Sequence, residues 1–274
     1  MLLRVLVTAC LFVTFSLIIF AQQQASTAPT IRTHAIEINV DDLQKAEDFY
    51  IGKLGFEIAE RKIGSVTLIS GSAVQLVLRK AKTLHKTGAD NTGVGLTLQV
   101  NDLDEAITRL KSRGIKFDEA GVRKEGVGNA ISIYDPFGRR ISLMHQTIVK
   151  VDPFKEPRIY NFGVKIPDMG VAREFYVNKL GLGVLNEQYL PKDLPLTHAD
   201  RSFAFMLHFR EPSQKVKYPY PSTMAFYTMV FATKDLKALY AHLSSVGVEI
   251  VHRSDESIAF RDPFGNVSEV VAMP

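Results

Sequence analysis

The chain has 274 residues, of which 46% are hydrophobic and 23% are charged, and its formal net charge is +4. These are values of a globular protein, and the length fits two domains of ordinary size. No run of basic residues with interleaved aromatic residues occurs, so a nucleic-acid partner is not expected. The single cysteine, Cys10, excludes a disulfide framework.

The first residues have the layout of a secretory signal peptide. Arg4 gives a positive start, residues 5–20 are uncharged and apolar, and Ala21 offers a small residue for cleavage. The apolar stretch is shorter than the roughly 20 residues that a membrane-spanning helix needs. We therefore expect a signal peptide at 1–21, a polar tether at 22–30, and a periplasmic or extracellular protein with no stable membrane span after cleavage. The alternative is an uncleaved N-terminal segment that anchors the protein in a membrane.

From residue 31 onward the sequence repeats one plan four times. Each unit is predicted to open with a strand, to turn at an aspartate that caps an amphipathic helix, and to continue with further strands. The turn aspartates are Asp42, Asp102, Asp168 and Asp235.

Two sequence motifs show that the four units form two similar pairs. Phe49-Tyr50 recurs as Phe175-Tyr176, and the turn that begins at Asp135 recurs at Asp262, each time as Asp-Pro-Phe-Gly. A duplicated chain is therefore indicated. We predict that two consecutive units make one domain, with domains at 31–148 and 158–274 and a linker at 149–157.

Taken in order, these motifs resemble the vicinal oxygen chelate superfamily, which includes glyoxalase I, bleomycin-resistance proteins and extradiol dioxygenases. The resemblance implies an α+β fold with two tandem domains. Each domain would contain paired βαβββ units that form a curved mixed sheet lining a cleft, with helices outside. The resemblance does not fix an activity, because one fold supports many functions. The matching pieces are Asp42-Leu43, Phe49-Tyr50, Leu54-Gly55-Phe56, Asp135-Pro136-Phe137-Gly138, Phe175-Tyr176, Leu180-Gly181 and Asp262-Pro263-Phe264-Gly265.

Enzymes of this family hold one divalent metal in the cleft, with ligands on the opening and closing strands of the units. In the first domain the corresponding positions are Ala35, Gln75, Gly95 and Ser142. Alanine and glycine have no side chain that can bind a metal. His34 lies one residue from the expected place, and only a β-bulge would turn it into the cleft.

In the second domain the corresponding positions are Asn161, His208, Thr228 and Glu269. His208 and Glu269 are acceptable ligands for Fe, Mn, Zn or Ni. A catalytic site normally has three protein ligands, so this set is incomplete unless Asn161 contributes its carbonyl oxygen. The alternative is that His208 and Glu269 form a hydrogen-bonded polar pair. In both interpretations the two side chains are expected to face one cleft.

Two classes of function remain open. The first is an exported protein of this fold that binds a small molecule in a cleft and has lost metal catalysis. The second is a metal-dependent lyase, isomerase or ring-cleaving dioxygenase that uses the second-domain cleft. Paired units can also mediate a homodimer contact. The predicted ligand-binding residues are Glu37, Gln75, Asn161, His208, Thr228 and Glu269.

Overall fold

The computed structural model describes residues 29–81, 94–147, 152–210 and 227–273. The predicted signal peptide, most of the tether and the start of the predicted linker lie outside the described residues. Among the described helices, none is both long and apolar enough to cross a membrane.

The described residues form sixteen strands that fall into four units, as the sequence predicts. In unit 1 they are β1 Ile31–Val40, β2 Glu57–Lys62, β3 Ser65–Ile69 and β4 Gln75–Lys80. In unit 2 they are β5 Val94–Gln99, β6 Arg123–Glu125, β7 Gly128–Tyr134 and β8 Arg140–Gln146. In unit 3 they are β9 Arg158–Ile166, β10 Gly183–Val184, β11 Asp193–Thr197 and β12 Phe203–Phe209. In unit 4 they are β13 Tyr227–Thr233, β14 Glu249–Arg253, β15 Ser257–Arg261 and β16 Val267–Ala272.

A helix follows the opening strand of every unit, and the turn aspartate caps it. Asp42, Asp102, Asp168 and Asp235 each accept a hydrogen bond from the backbone N–H three residues later, at 2.8 to 3.0 Å. These bonds satisfy donors that the first helical turn leaves unpaired, so the predicted caps are confirmed. The helices are α1 Leu43–Glu47, α2 Leu103–Ser112, α3 Met169–Arg173 and α4 Leu236–Ser245. Two of them continue as π-helical segments: α1 as Asp48–Lys53 and α3 as Glu174–Lys179.

The strands form two eight-stranded mixed sheets, here named A and B. Sheet A has the order β14-β15-β16-β13-β1-β4-β3-β2. Sheet B has the order β10-β11-β12-β9-β5-β8-β7-β6. The predicted α+β architecture of paired βαβββ units is therefore confirmed.

The prediction that the two units within each half of the chain share a sheet is wrong. Sheet A joins unit 1 to unit 4 through the antiparallel pair β1 and β13, and sheet B joins unit 2 to unit 3 through β5 and β9. The sequence repeat shows which units resemble each other, but it does not show which strand edges meet. Either pairing would satisfy the backbone hydrogen bonds of the opening strands.

The units within each half are joined outside the sheets, at the two Asp-Pro-Phe-Gly turns. The hydroxyl of Tyr50 in unit 1 donates to the buried carboxylate of Asp135 in unit 2, at 3.2 Å. The hydroxyl of Tyr176 in unit 3 donates to the buried carboxylate of Asp262 in unit 4, at 2.6 Å. Burial is the main cause that raises the pKa of both tyrosines well above the usual value, so both hydroxyls keep their protons and remain donors.

Each sheet has one face buried under helices and one face with polar side chains, which we call the open face. On β1, Ile36, Ile38 and Val40 are fully buried, whereas the alternate residues Glu37 and Asn39 belong to the open face. The strand period of two produces this division. The open faces are where the predicted site residues lie.

Candidate functional site

Cross-strand register brings equivalent positions of the two sheets into two matched rows on their open faces. In sheet A, Ala35 pairs with Val230, Val230 with Glu269, and Glu269 with Ala259. These four residues are row A. Neighbouring strands are about 4.8 Å apart, so the row spans roughly 14 Å.

In sheet B, Asn161 pairs with Thr97, Thr97 with Ser142, and Ser142 with Ser132. These four residues are row B. Asn161 occupies the place in unit 3 that Ala35 has in unit 1, and Ser142 occupies the place in unit 2 that Glu269 has in unit 4. The two rows are therefore equivalent in position, and they differ in every side chain.

Row A holds one carboxylate among apolar neighbours. Glu269 is partly exposed and lies between Val230 and Ala259 across the sheet, with Val267 and Val271 on the same face of its own strand. Among the described residues, its carboxylate has only a long-range electrostatic interaction, with the Arg79 guanidinium. Among the described residues, this carboxylate therefore has no hydrogen-bond partner.

A second carboxylate on the same face is already paired. Glu37 is buried, and its Oε2 atom lies 2.6 Å from Nη2 of Arg79. The hydrogen bond that Arg79 donates to the Glu37 carboxylate is the first cause of the raised pKa of Arg79, so the guanidinium keeps its charge. The charges of this pair offset each other, whereas Glu269 has no ion-pair partner among the described residues.

The structure brings four of the six predicted ligand-binding residues onto this face. Gln75 pairs with Ala35 and so lies next to row A, and Thr228 pairs with Glu37. Gln75 and Thr228 are partly exposed. With Glu269, they present an amide, a hydroxyl and a carboxylate on one surface.

The other two predicted residues lie on the open face of sheet B. Asn161 is only 9% exposed, and its Oδ1 atom is buried without a hydrogen-bond partner among the described residues. The Nδ1 atom of His208 lies 2.6 Å from Oδ1 of Asp193, which fixes the orientation of the ring. The His208 ring lies over the backbone of Gly163, where a Cβ atom would be 2.1 Å from Cδ2.

His208 and Glu269, which are predicted to face one cleft, lie on different sheets. His208 is on β12 of sheet B, and Glu269 is on β16 of sheet A. The prediction assumed that units 3 and 4 share a sheet, and they do not. No hydrogen bond joins these two side chains among the described residues, and His208 is instead paired with Asp193.

The bulge that His34 would need is present. The register of β1 against β13 shifts between Thr33 and Ala35, so His34 is the extra residue. Periodicity alone could not reveal this shift, because a bulge interrupts the alternation of faces.

The side chains at the family's metal positions do not fit a divalent metal. In sheet A these positions are Ala35, Gln75, Thr228 and Glu269, and only the last is a strong ligand. In sheet B they are Gly95, Ser142, Asn161 and His208, and again only the last is a strong ligand. Over the described part of the chain, no three His, Cys, Asp or Glu side chains converge as a metal site would require.

Sequence reasoning missed the partners of the site residues. Arg79 forms an ion pair with the Glu37 carboxylate, and Asp193 is paired with the His208 imidazole. Arg79 and Asp193 both lie on strands whose pairing was not predicted. Gly95 was considered only as a position without a ligand. An ideal Cβ atom on this residue meets no other atom of the described part of the chain within 4 Å, so among these residues the position borders open space.

Comparison with known proteins supports the same architecture. The family model described as Glyoxalase/Bleomycin resistance protein/Dioxygenase superfamily matches residues 32–143 and 158–270. No match is found among curated proteins.

Solved structures show the likeness of the fold along nearly the whole chain. A glyoxalase I mutant from Zea mays is 18% identical and has a TM-score of 0.68, with 90% of this chain and 94% of that chain covered. The cppA protein from Streptococcus pneumoniae TIGR4 is 16% identical and has a TM-score of 0.55, with 89% of this chain and 99% of that chain covered. At these identities, the likeness concerns the fold alone.

Proposed function

The chain belongs to the glyoxalase/bleomycin resistance protein/dioxygenase superfamily, and on that premise we propose that it is an exported protein that binds a small organic molecule on the open face of sheet A. In this proposal no catalytic metal takes part. The carboxylate of Glu269 is the central contact.

The proposal rests on the carboxylate of Glu269, which has no hydrogen-bond partner among the described residues. Its apolar neighbours Val230 and Ala259 reduce the local dielectric constant, and this strengthens its attraction for a cation or a hydrogen-bond donor. A compact apolar ligand with an amidinium or ammonium group would bring two to three donors to the carboxylate oxygens. Charge-assisted hydrogen bonds of this kind are stronger than neutral ones.

Pairing elsewhere on the face makes the site selective. Arg79 is held by Glu37 at 2.6 Å, so it does not compete directly for the Glu269 carboxylate. Gln75 and Thr228 can accept or donate, and they would orient the polar edge of the ligand. A metal ion would find only one strong ligand here, whereas an organic cation needs only one carboxylate and a complementary surface.

The test uses three probes of nearly equal shape and different charge: benzamidine, benzamide and benzoate. Ligand-observed NMR titration of the purified protein should show that benzamidine binds more tightly than benzoate. Glu269→Gln should weaken benzamidine binding by about 10- to 100-fold, because one charge-assisted hydrogen-bond pair is lost.

The matched control is Ser142→Ala, at the equivalent position of sheet B, which should leave benzamidine binding unchanged. The metal content of the same samples should be measured as well, because it tests the metalloenzyme alternative. A stoichiometric divalent metal that is lost in Glu269→Gln would contradict the proposal and support the metalloenzyme class.

Export is proposed from the layout of residues 1–21, with Arg4 before the apolar stretch. Mass spectrometry of the protein from its native host should find a chain that starts at or near Gln22. A cytoplasmic protein that retains Met1 would be inconsistent with export.

A further inference from the structure

We propose that the open face of sheet B carries a second, separate binding site for a planar ligand with an uncharged carboxamide or lactam group. The ligand would lie above Gly95, between the amide of Asn161 and the ring of His208. This site goes beyond the site proposed on sheet A, because it uses other strands and another ligand chemistry.

The backbone of two paired glycines creates the space. Gly95 of β5 pairs with Gly163 of β9. The His208 ring covers Gly163, whereas no atom of the described residues lies within 4 Å of a Cβ atom placed on Gly95. Cross-strand neighbours have Cβ positions about 5 Å apart, so the open space above Gly95 lies directly beside the His208 ring.

The amide of Asn161 supplies the polar contact. Asn161 precedes Gly163 by two residues along β9, so both belong to the open face, while Phe162 between them is buried in the core. The Oδ1 atom of Asn161 is buried and has no partner among the described residues. A buried acceptor without a partner costs about 1 to 3 kcal/mol, and a ligand N–H would remove that cost.

A carboxamide is the complement of this amide. Its N–H donates to Oδ1 of Asn161 and its carbonyl oxygen accepts from Nδ2, which makes two parallel hydrogen bonds. A carboxylate has no donor for Oδ1, and an amidinium has no acceptor for Nδ2. Thr97 and Ser142 continue row B with partly exposed hydroxyls, which can donate or accept.

The charged groups beside row B have partners among the described residues. The carboxylate of Asp193 lies 2.6 Å from Nδ1 of His208. Lys165, which is next to His208 across the sheet, also has a partner. At the far end of the row, the guanidinium groups of Arg123 and Arg140 both donate to the hydroxyl of Ser132, at 3.2 and 2.8 Å. Between these ends, row B offers one amide and two hydroxyls, which favours a ligand that forms hydrogen bonds through neutral groups.

Two variants of the purified full chain test this site. Gly95→Val fills the space with a side chain that suits a strand, and Asn161→Leu replaces the amide with an apolar group of the same branched shape. Because no described atom lies near a Cβ atom on Gly95, and Oδ1 of Asn161 has no partner among the described residues, both variants should remain folded, which thermal unfolding checks.

In a ligand-observed NMR titration, benzamide should bind the parent protein and should bind each variant at least about tenfold more weakly, as expected from the loss of one to two hydrogen bonds or of the space. Benzoate should bind sheet B more weakly than benzamide. Val271→Ala, on the open face of sheet A, is the control, and it should leave benzamide binding unchanged.

Three results would each overturn the proposal: no binding of benzamide to the parent protein, benzamide binding that survives both variants, or benzoate binding that depends equally on Asn161. The two proposed sites are tested by different probes, benzamide for sheet B and benzamidine for sheet A. Loss of benzamidine binding in Glu269→Gln tests that site, and Gly95→Val should not affect it.

Discussion

Sheets A and B have equivalent strand orders and equivalent rows, but the rows have opposite chemistry. Row A places the Glu269 carboxylate among Ala35, Val230 and Ala259, whereas row B consists of an amide and three hydroxyls. The same backbone can therefore offer a charged site in a low-dielectric setting on one sheet and a neutral hydrogen-bonding site on the other. Register fixes where a ligand can lie, and a few side chains fix which ligand that is.

The two Asp-Pro-Phe-Gly turns differ in a similar way. In the turn that leads into β8, the buried Asp135 carboxylate forms an ion pair with the buried Arg139 guanidinium, at 2.8 Å. In the turn that leads into β16, the buried Asp262 carboxylate instead accepts from the Asn266 amide, at 2.7 Å. Burial raises the pKa of Asp262 from its usual value, although the hydrogen bonds from Asn266 and Tyr176 oppose this change.

The largest expected effect comes from removing the partner of each turn aspartate. Arg139→Ala should lower the free energy of unfolding by about 3 to 5 kcal/mol, because it leaves a buried carboxylate without its counter-charge. Asn266→Ala should lower it by about 1 to 3 kcal/mol, because only a neutral donor is lost. Urea unfolding of both variants measures the difference, and equal losses would mean that the two turns are energetically alike.

An intermediate effect is expected when an amide is moved between the rows. Ala35→Asn should destabilise the protein by about 1 to 3 kcal/mol, because a position that is 1% exposed would receive a polar group without a partner. The reverse change, Asn161→Ala, should not destabilise the protein, because it removes a buried Oδ1 atom that has no hydrogen-bond partner among the described residues. A large loss in Asn161→Ala would show that its amide is structural, and the ligand site on sheet B would then lose its basis.

The smallest expected effect concerns a contact between the two sheets. His198, in the connection between β11 and β12, is buried and accepts a weak hydrogen bond from the backbone N–H of Thr33 on β1, at 3.4 Å. Burial lowers the pKa of His198 below its usual value of 6.5, although Asp200 partly opposes this. The folded state therefore binds this proton less readily than the unfolded state, and stability should fall as the pH decreases below about 6.5 towards the lowered pKa.

His198→Gln removes this titration while keeping an acceptor for Thr33. Thermal unfolding at pH 7.5 and at pH 5.5 should show a smaller loss for the variant than for the parent protein. If both lose the same amount, other groups cause the pH dependence.

Local features of this fold could be predicted from the sequence because they depend on neighbours in the chain. Asp42 and its three equivalents cap helices in the predicted places, and Ile36 and Ile38 lie on the predicted core face. The pairing of sheets depends on strand edges that are far apart in sequence, and the duplicated motifs do not report on it.

The sequence predicts which residues of the candidate site lie on an open face, but it does not predict which of them share a sheet. Glu269 and His208 are both on open faces, as predicted, but on different sheets. The role of Gly95 could not be predicted, because a residue without a side chain does not indicate what its neighbours can bind. Only the register of β5 against β9 shows that it lies near Asn161 and the His208 ring.

The crossed pairing of units has a consequence for how the chain acquires its fold. Ala35 pairs with Val230, so the first strand of sheet A can close its hydrogen bonds only after unit 4 has been synthesised. Such a high contact order slows folding and leaves strand edges exposed in the meantime. This delay agrees with the export proposed above, because a chain that completes its first sheet only after its last segment is made stays unfolded for longer.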